Sequence, residues 1–440
     1  MRGVAGRHDL TASQEMRTHV RSFSLTRCVV MAGVIARMQA TETARRPARL
    51  PAKYALFGAV AAVLALGAVQ QAQGGVERPS DEDEVLAHVP ARDDGEVRAL
   101  EQLRLRAELA PRDLHKALAL ARSYIEASRR AGDPRYLGAA EAALASFCAG
   151  PDPVPEVRLL RATILQSRHE FDAALRDLDR VVEVTPDDAQ AWLTRATVLT
   201  VQGKYEQARA SCSALAPLVT ATHAIACVAP IDGLTGRGDH AREQLERAVQ
   251  ASRSSTDLAW LHSLAGEQAF WLGDPAASER HLRAALQLDG DDRYTRALYA
   301  DLLLDGQRYA EARALLSGHS EDDALALRSA LADLAQGQRD SMEGRKVAQN
   351  FEASRLRGDA VHRREEARMW LARGDAPRAL GCALESWAVQ REPWDARLVL
   401  EAAVAAGQPE RAAPVLAWLH TTHFEAPRLR ALARSLETRP

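Results

Sequence analysis

From residue 96 onward the apolar residues recur at intervals of three and four, the spacing that puts them on one face of a helix. No stretch shows the strict two-residue alternation of a half-buried strand, so the pattern predicts an all-α chain. Between residues 155 and 222 the pattern itself repeats: RATIL (161–165) and RATVL (195–199) are near-copies whose starts lie 34 residues apart. In 34-residue frames opening at Pro155 and Ala189, position 8 holds Ala162 and Ala196, and position 20 holds Ala174 and Ala208. Larger side chains fall at position 11 (Leu165, Leu199), position 17 (Phe171, Tyr205), position 24 (Leu178, Cys212) and position 27 (Val181, Leu215). Small residues thus recur where two helices must approach closely, and large ones where the gap must be filled. Each frame predicts two antiparallel helices and a short turn.

Further frames follow. One opening near Thr222 carries Ala229, Ala241, Leu245 and Ala248 around the turn Gly236-Arg237-Gly238-Asp239. One opening at Ala259 contains LAGEQAFWLGD, with Gly266 at the close-contact position, Gly273-Asp274 as the turn, and Leu282 and Ala285 beyond it. The next opens at Arg293, with Ala300, Leu303, Tyr309, Ala312 and Leu316. Looser hairpins are expected on both sides, in residues 96–154 and from 319 to the C-terminus, where Gly374-Asp375 marks a turn and EAAVAAGQPERAAPVLAWL (401–419) reads as a helix. A single such hairpin cannot bury its own apolar face, so hairpins must be stacked in series.

These frames resemble the tetratricopeptide repeat (TPR), whose pattern is W-x2-L-G-x2-Y, then A-x3-F, then P. Trp192 stands at the tryptophan position and Pro186 at the closing proline. The resemblance is specific over 155–318 and generic elsewhere in 96–440. It implies a right-handed superhelical solenoid of antiparallel helix hairpins, with first helices lining a concave wall. The chain departs from the pattern at position 7, usually leucine, which is Arg161 and Arg195, and the closing proline is present in the first frame alone. Those arginines either bury their stems and pair with Asp177 or Asp179, or form a ladder facing a ligand.

In proteins of this family, peptides lie in the concave groove against first-helix positions 2, 5, 9, 12 and 13. On this sequence the resemblance places there Thr163 and Gln166, then Gln190, Thr197 and Thr200, then Trp260, Glu267, Phe270 and Trp271, then Tyr294 and Asp301. Aromatics beside carboxylates suit a segment with apolar and basic side chains; the competing reading is that Trp260, Phe270 and Trp271 pack between helices. The lysine and asparagine positions of the family's carboxylate clamp are Leu159/Thr163 and Leu193/Thr197 here, so capture of a C-terminal carboxylate is not implied.

The first 95 residues are of another kind. Residues 1–53 hold ten basic residues against Asp9, Glu15 and Glu42, with no sustained helical period. ALFGAVAAVLALGAV (55–69) follows, apolar throughout. At about 1.5 Å per residue it reaches about 22 Å, short of a ~30 Å hydrocarbon core, which fits the apolar stretch of an export signal. Ala72-Gln73-Gly74 offers a cleavage site. Residues 54–72 are therefore read as a signal peptide or, uncleaved, a single membrane anchor, with a buried core helix as the remaining alternative; residues 73–95 form an acidic linker. Basic residues before the apolar run place the N-terminus inside and deliver the rest outside the cytoplasm. Met31 and Met38 offer alternative starts that would shorten the segment ahead of the apolar run.

Composition narrows the chemistry. The chain is 47% hydrophobic and 26% charged with a formal net charge of −2, so it is a folded chain without the basic excess of a nucleic-acid binder. Four of its 57 cationic residues are lysines. No HExxH, GxSxG, GxxxxGK[ST] or GxGxxG is present, and His420-Thr-Thr-His423 lacks further ligands for a metal. Asp291-Asp292 reads as a solvated turn. Cys212 and Cys227 flank a short connection at equal distances, so antiparallel helices would place them at one height, as a disulfide in an oxidising compartment or as two small core residues. The expectation is a non-catalytic scaffold for protein interaction or complex assembly at the bacterial cell envelope. It would have a protein or peptide partner in the groove, no nucleic acid, no cofactor and no metal, and membrane contact through residues 54–72 if uncleaved. A metal-handling or enzyme-accessory protein of the periplasm is the alternative.

Overall fold

The computed structural model of the chain describes residues 95–150, 152–320, 322–339, 341–356 and 362–437. The basic extension 1–53, the apolar segment 54–72 and nearly all of the linker 73–95 lie outside the described residues. None of the described helices is long and apolar enough to cross a membrane.

Among the described residues there are twenty α-helices, two short 3-10 turns and no strand. α1 (Gly95–Glu108) comes first. Hairpins follow in order: α2 (Leu114–Ala131) with α3 (Arg135–Cys148), α4 (Pro155–Ser167) with α5 (Phe171–Val184), α6 (Ala189–Val201) with α7 (Tyr205–Leu215), and α8 (Ala221–Leu234) with α9 (Gly238–Ala251). The series continues with α10 (Ser255–Leu272) and α11 (Pro275–Leu288), α12 (Arg293–Asp305) and α13 (Tyr309–Leu316), and α14 (Asp323–Ala335) and α15 (Met342–Leu356). It ends with α16 (Arg363–Arg373) and α17 (Ala376–Val389), α18 (Pro393–Ala406) and α19 (Ala413–Thr422), and a closing α20 (Pro427–Glu437). The helices of each hairpin pack together, and hairpins pack on their sequence neighbours without a break at residue 155 or 319. From α2 to α20 each even-numbered helix also touches the next even-numbered one, so the first helices form one continuous wall. This is the all-α solenoid that the 34-residue period demands.

The two helix classes differ for a physical reason. α5 buries Phe171, Ala174, Leu175, Leu178 and Val181 along one face, shows Asp172, Arg176, Asp179 and Glu183 to solvent, and keeps one charge, Asp177, buried. α6 buries Ala191, Leu193, Thr194, Ala196, Val198, Leu199, Thr200 and Val201, which surround its axis, because it is covered from both sides. Each fully buried leucine or valine contributes about 1.5–3 kcal/mol. The small residues sit where helices meet: a Cβ added to Gly266 would lie 2.6 Å from Leu282 Cδ2, and the Ser278 hydroxyl donates to the Gly266 carbonyl at 2.9 Å.

Where a side chain caps a helix start, it is usually an aspartate. Asp113, Asp188, Asp274, Asp292, Asp322 and Asp375 each accept a backbone N–H of the first turn that has no partner within the helix. Asp292 corrects the reading of Asp291-Asp292 as a solvated turn, being buried and accepting from both the amide and the hydroxyl of Thr295. The 401–419 stretch is likewise not one helix. Gly407, at φ +65°, ends α18 in the left-handed conformation, and a 3-10 turn (Pro409–Ala412) leads into α19.

The position-7 arginines pair within the stack. Arg161 reaches both oxygens of Asp177, at 2.5 and 2.6 Å, and Arg195 reaches Asp179 at 2.7 Å and donates to the Ser211 hydroxyl. The Trp192 indole donates to the carbonyl of Pro186 at 2.8 Å, which ties the two residues that carry the repeat signature.

Candidate functional site

The solenoid curls until its C-terminal hairpins meet its early repeats. The Arg391 amide donates to the carbonyl of Val201 at 2.7 Å, Trp418 Nε1 donates to the Tyr205 hydroxyl at 2.9 Å, and α20 packs on α10. One apolar core joins residues of α4 to α8 with those of α16 to α20. The concave wall at α6, α8 and α10 is thereby roofed by the chain itself.

Under the roof lies a cavity of about 60 Å³. Thr197 and Thr200 from α6, Trp260, Glu267 and Trp271 from α10, and Glu392, Pro393 and Phe424 from the roof are among the residues that line it. A single water needs about 10–15 Å³ on this measure, so a few waters or one side-chain head fit. A second cavity of about 170 Å³ lies on the wall formed by Phe270, Trp271, Leu302, Asp305, Arg397 and Arg428. Trp271 borders both. Around it the rings of Phe270, Trp394 and Phe424 stand with centroids 5.0, 5.4 and 6.1 Å away. Edge and tilted contacts of this kind are the arrangement aromatic quadrupoles favour. Trp394 is itself flanked by the guanidinium groups of Arg368 and Arg397, 4.6 and 4.7 Å from its centroid.

Further along the wall the interior turns ionic. Asp301 pairs with Arg368 at 2.6 Å and Arg328 at 2.7 Å; Asp301 and Arg328 are buried and Arg368 is nearly so. Burial pushes the Asp301 carboxyl upward, but the two guanidinium groups outweigh it and hold the carboxyl below its ordinary range. Arg397 pairs with Asp305 at 2.7 Å and Glu401 at 2.8 Å, and its own value is raised because these partners overcome the effect of burial. Arg364 binds Asp395 and Glu392. Burial alone lifts Glu365 above the usual carboxylate range, against the pull of Arg364 and Arg328.

The residues expected in the groove all stand on this inner wall, and none is exposed. Thr163, Gln166, Thr200, Trp260, Glu267, Trp271 and Asp301 are buried; Gln190, Thr197, Phe270 and Tyr294 are half-buried. The hydroxyls of Thr163, Thr197 and Thr200 turn back to the carbonyls of Leu159, Leu193 and Ala196 in their own helices. Gln190 donates to the Thr194 hydroxyl at 3.3 Å. Phe270 stacks on Trp394, Trp260 lies against His223, and Asp301 is spent on its two arginines. Tyr294 packs against the core formed by α11 to α13. The roof residues Glu392, Pro393 and Phe424 carry no local signal in the sequence, because what places them is contact with residues far away along the chain.

Cys212 of α7 and Cys227 of α8 are joined by a disulfide with Cα atoms 5.7 Å apart, and Cys227 borders the smaller cavity. Glu246, His281 and His262 form a hydrogen-bonded chain across α9, α11 and α10, with both links 2.9 Å long. Burial first, and then the neighbouring His281, hold His262 below the ordinary histidine range. His420 and His423 stand with ring centroids 6.3 Å apart at the end of α19. Among the described residues no three histidine, cysteine or carboxylate side chains are grouped as a metal site would require.

No protein-family model matches the chain, and no curated protein sequence matches it. Solved structures similar to it include a chain of the APC/C hetero-tetramer Cut9-Hcn1, 16% identical over 70% of this chain and 52% of that one, with a TM-score of 0.39. A tetratricopeptide repeat protein from Parabacteroides merdae is 14% identical over 69% of this chain and 99% of that one, with a TM-score of 0.34. Human IFIT1, in a dimer with PPP-AAAA, is 13% identical over 78% of this chain and 87% of that one, with a TM-score of 0.43. The chain spans about half the length of the Cut9-Hcn1 chain it matches.

Proposed function

We propose that this chain is a non-catalytic TPR-like scaffold of the bacterial cell envelope that holds a protein partner on its concave wall. The observation that carries this reading is the unbroken series of first helices from α2 to α20, which forms one continuous inner wall, covered at α6, α8 and α10 by the chain's own C-terminal residues. Such a wall distributes binding over many modest contacts, as protein interfaces do. Placement outside the cytoplasm follows from the export-like segment 54–72 and is supported by the Cys212–Cys227 disulfide, since such bonds persist in oxidising compartments.

The test uses the full-length chain crosslinked in its native envelope, wild type beside Thr197→Arg with Tyr294→Ala, two half-buried wall positions. A protein that co-purifies with the wild type and is lost from the variant, at unchanged helical circular dichroism, is the expected result. Recovery of nothing, or of the same proteins with both chains, overturns the reading.

A further inference from the structure

The turn Gly236-Arg237-Gly238 between α8 and α9 is the seat of the loop His423-Phe424-Glu425-Ala426 between α19 and α20, 187 residues away in sequence. Phe424, 2% exposed, fills the edge of the smaller cavity against Trp271 and Trp418, with ring centroids 6.1 and 5.7 Å away. Glu425 Oε2 accepts the Gly238 amide hydrogen at 2.7 Å. Gly238 opens α9, where the first N–H groups have no helical partner and the helix dipole favours an anion. The glycines make room for the loop: a Cβ on Gly236 would lie 2.9 Å from His423 Cβ, and one on Gly238 would lie 2.6 Å from Glu425 Oε2. Trp271, which borders both cavities and packs on the Phe424 ring, has a buried Nε1 without a hydrogen-bond partner, so a donor on Phe424's own neighbour is left unused by the loop.

We propose that loop 423–426 is an internal ligand of the concave wall, and that the partner segment this wall accepts carries the same chemistry, an aromatic side chain followed directly by a carboxylate. This takes the wall to be a docking surface, as above. It differs from the expectation drawn from first-helix positions, which favoured basic side chains, because the charge-reading element is the N-terminus of α9 rather than a wall carboxylate. The Phe424 pocket supplies the apolar anchor and the Gly238 amide supplies the reading of charge. An external segment must displace a tethered one, so its apparent affinity falls with the fraction of chains whose loop is unseated.

The probe is a labelled peptide LHTTHFEAPR, the chain's own residues 419–428, titrated into full-length wild type and into Phe424→Ala/Glu425→Ala. We expect at least tenfold tighter binding to the variant, and loss of binding when the peptide's phenylalanine or glutamate is replaced by alanine. Equal affinity for the two chains, or equal binding of the alanine peptides, overturns the proposal. Glu425→Ala alone changes an exposed side chain, and it supplies a second measurement should the double variant fail to fold. Hydrogen exchange of the Gly238 amide should accelerate at least tenfold in that chain, and an unchanged rate overturns the proposal equally. Selective peptide binding with no protein captured from the envelope would retire the scaffold reading and support this one; capture without peptide selectivity would do the reverse.

Discussion

Hairpins α4 to α7 and helices α12 to α18 build the same stacked architecture with different interior chemistry. In the first region Ala162, Leu178, Val181, Ala196, Leu199 and Ala208 interlock as an apolar core whose one buried carboxylate in α5, Asp177, is held by the partly exposed Arg158 and Arg161, while the Arg195–Asp179 pair lies at the rim. In the second, buried ion pairs run through the wall from Asp301, Arg328 and Arg368 to Arg364, Asp395 and Glu392. Apolar packing tolerates loss of a methyl group by partial collapse. A buried ion pair that loses one partner leaves a bare charge. The two halves should therefore fail differently.

The largest effect is expected at Asp301→Ala, which strands Arg328 and Arg368 in the interior and should cost about 3–5 kcal/mol, read as a fall in the urea midpoint. Exchanging all three residues together for apolar side chains should cost less than that single change, and a larger cost would break the contrast. In the apolar region Leu178→Ala, at a fully buried position, should cost about 2–5 kcal/mol through its cavity, with little change as salt is raised. Reduction of the Cys212–Cys227 bond, whose loop spans 15 residues, should remove about 3 kcal/mol if chain entropy dominates, measured as a shift of the thermal midpoint with reductant.

A separate contrast concerns pH. Burial lifts the Asp323 carboxyl to about 7, against a hydrogen bond from Asn350. A carboxyl whose folded value exceeds its unfolded value near 3.9 binds its proton more tightly when folded. Its contribution is therefore full below about pH 4, declines as pH rises, and is gone above about 7. Asp323→Asn should flatten that decline in urea titrations between pH 5 and 8; an unchanged slope would show that the group titrates normally. Asp301 has the opposite sign: its lowered value means stability that is present at neutral pH and lost as pH falls through the folded value.

Most of the hairpins were legible in the sequence because each is decided by neighbours within 34 residues. Ala162 and Ala196, Leu165 and Leu199, Phe171 and Tyr205 repeat because one packing problem repeats. The glycine at 266 and the arginine pairs were readable for the same reason, as was the even spacing that brings Cys212 and Cys227 together. The candidate site was legible only by position. Thr197, Trp260, Glu267 and Trp271 stand on the inner wall, but nothing near them in sequence indicates Phe424 or Glu392 lying across from them. The ionic seam was equally hidden: Arg368 and Asp301 are 67 residues apart, and a charge at an inner-helix position looks like any surface charge until its partner arrives.

The sequence by itself determined that this chain is a series of antiparallel helical hairpins, because helix period, turn glycines, aspartate caps and small contact residues all act over one or two turns of chain. Tertiary structure alone decided that the series curls far enough for residues 391–437 to roof the wall of the early repeats. Curvature accumulates from small rotations at every hairpin interface, so closure depends on their sum, and no local stretch of sequence carries that sum.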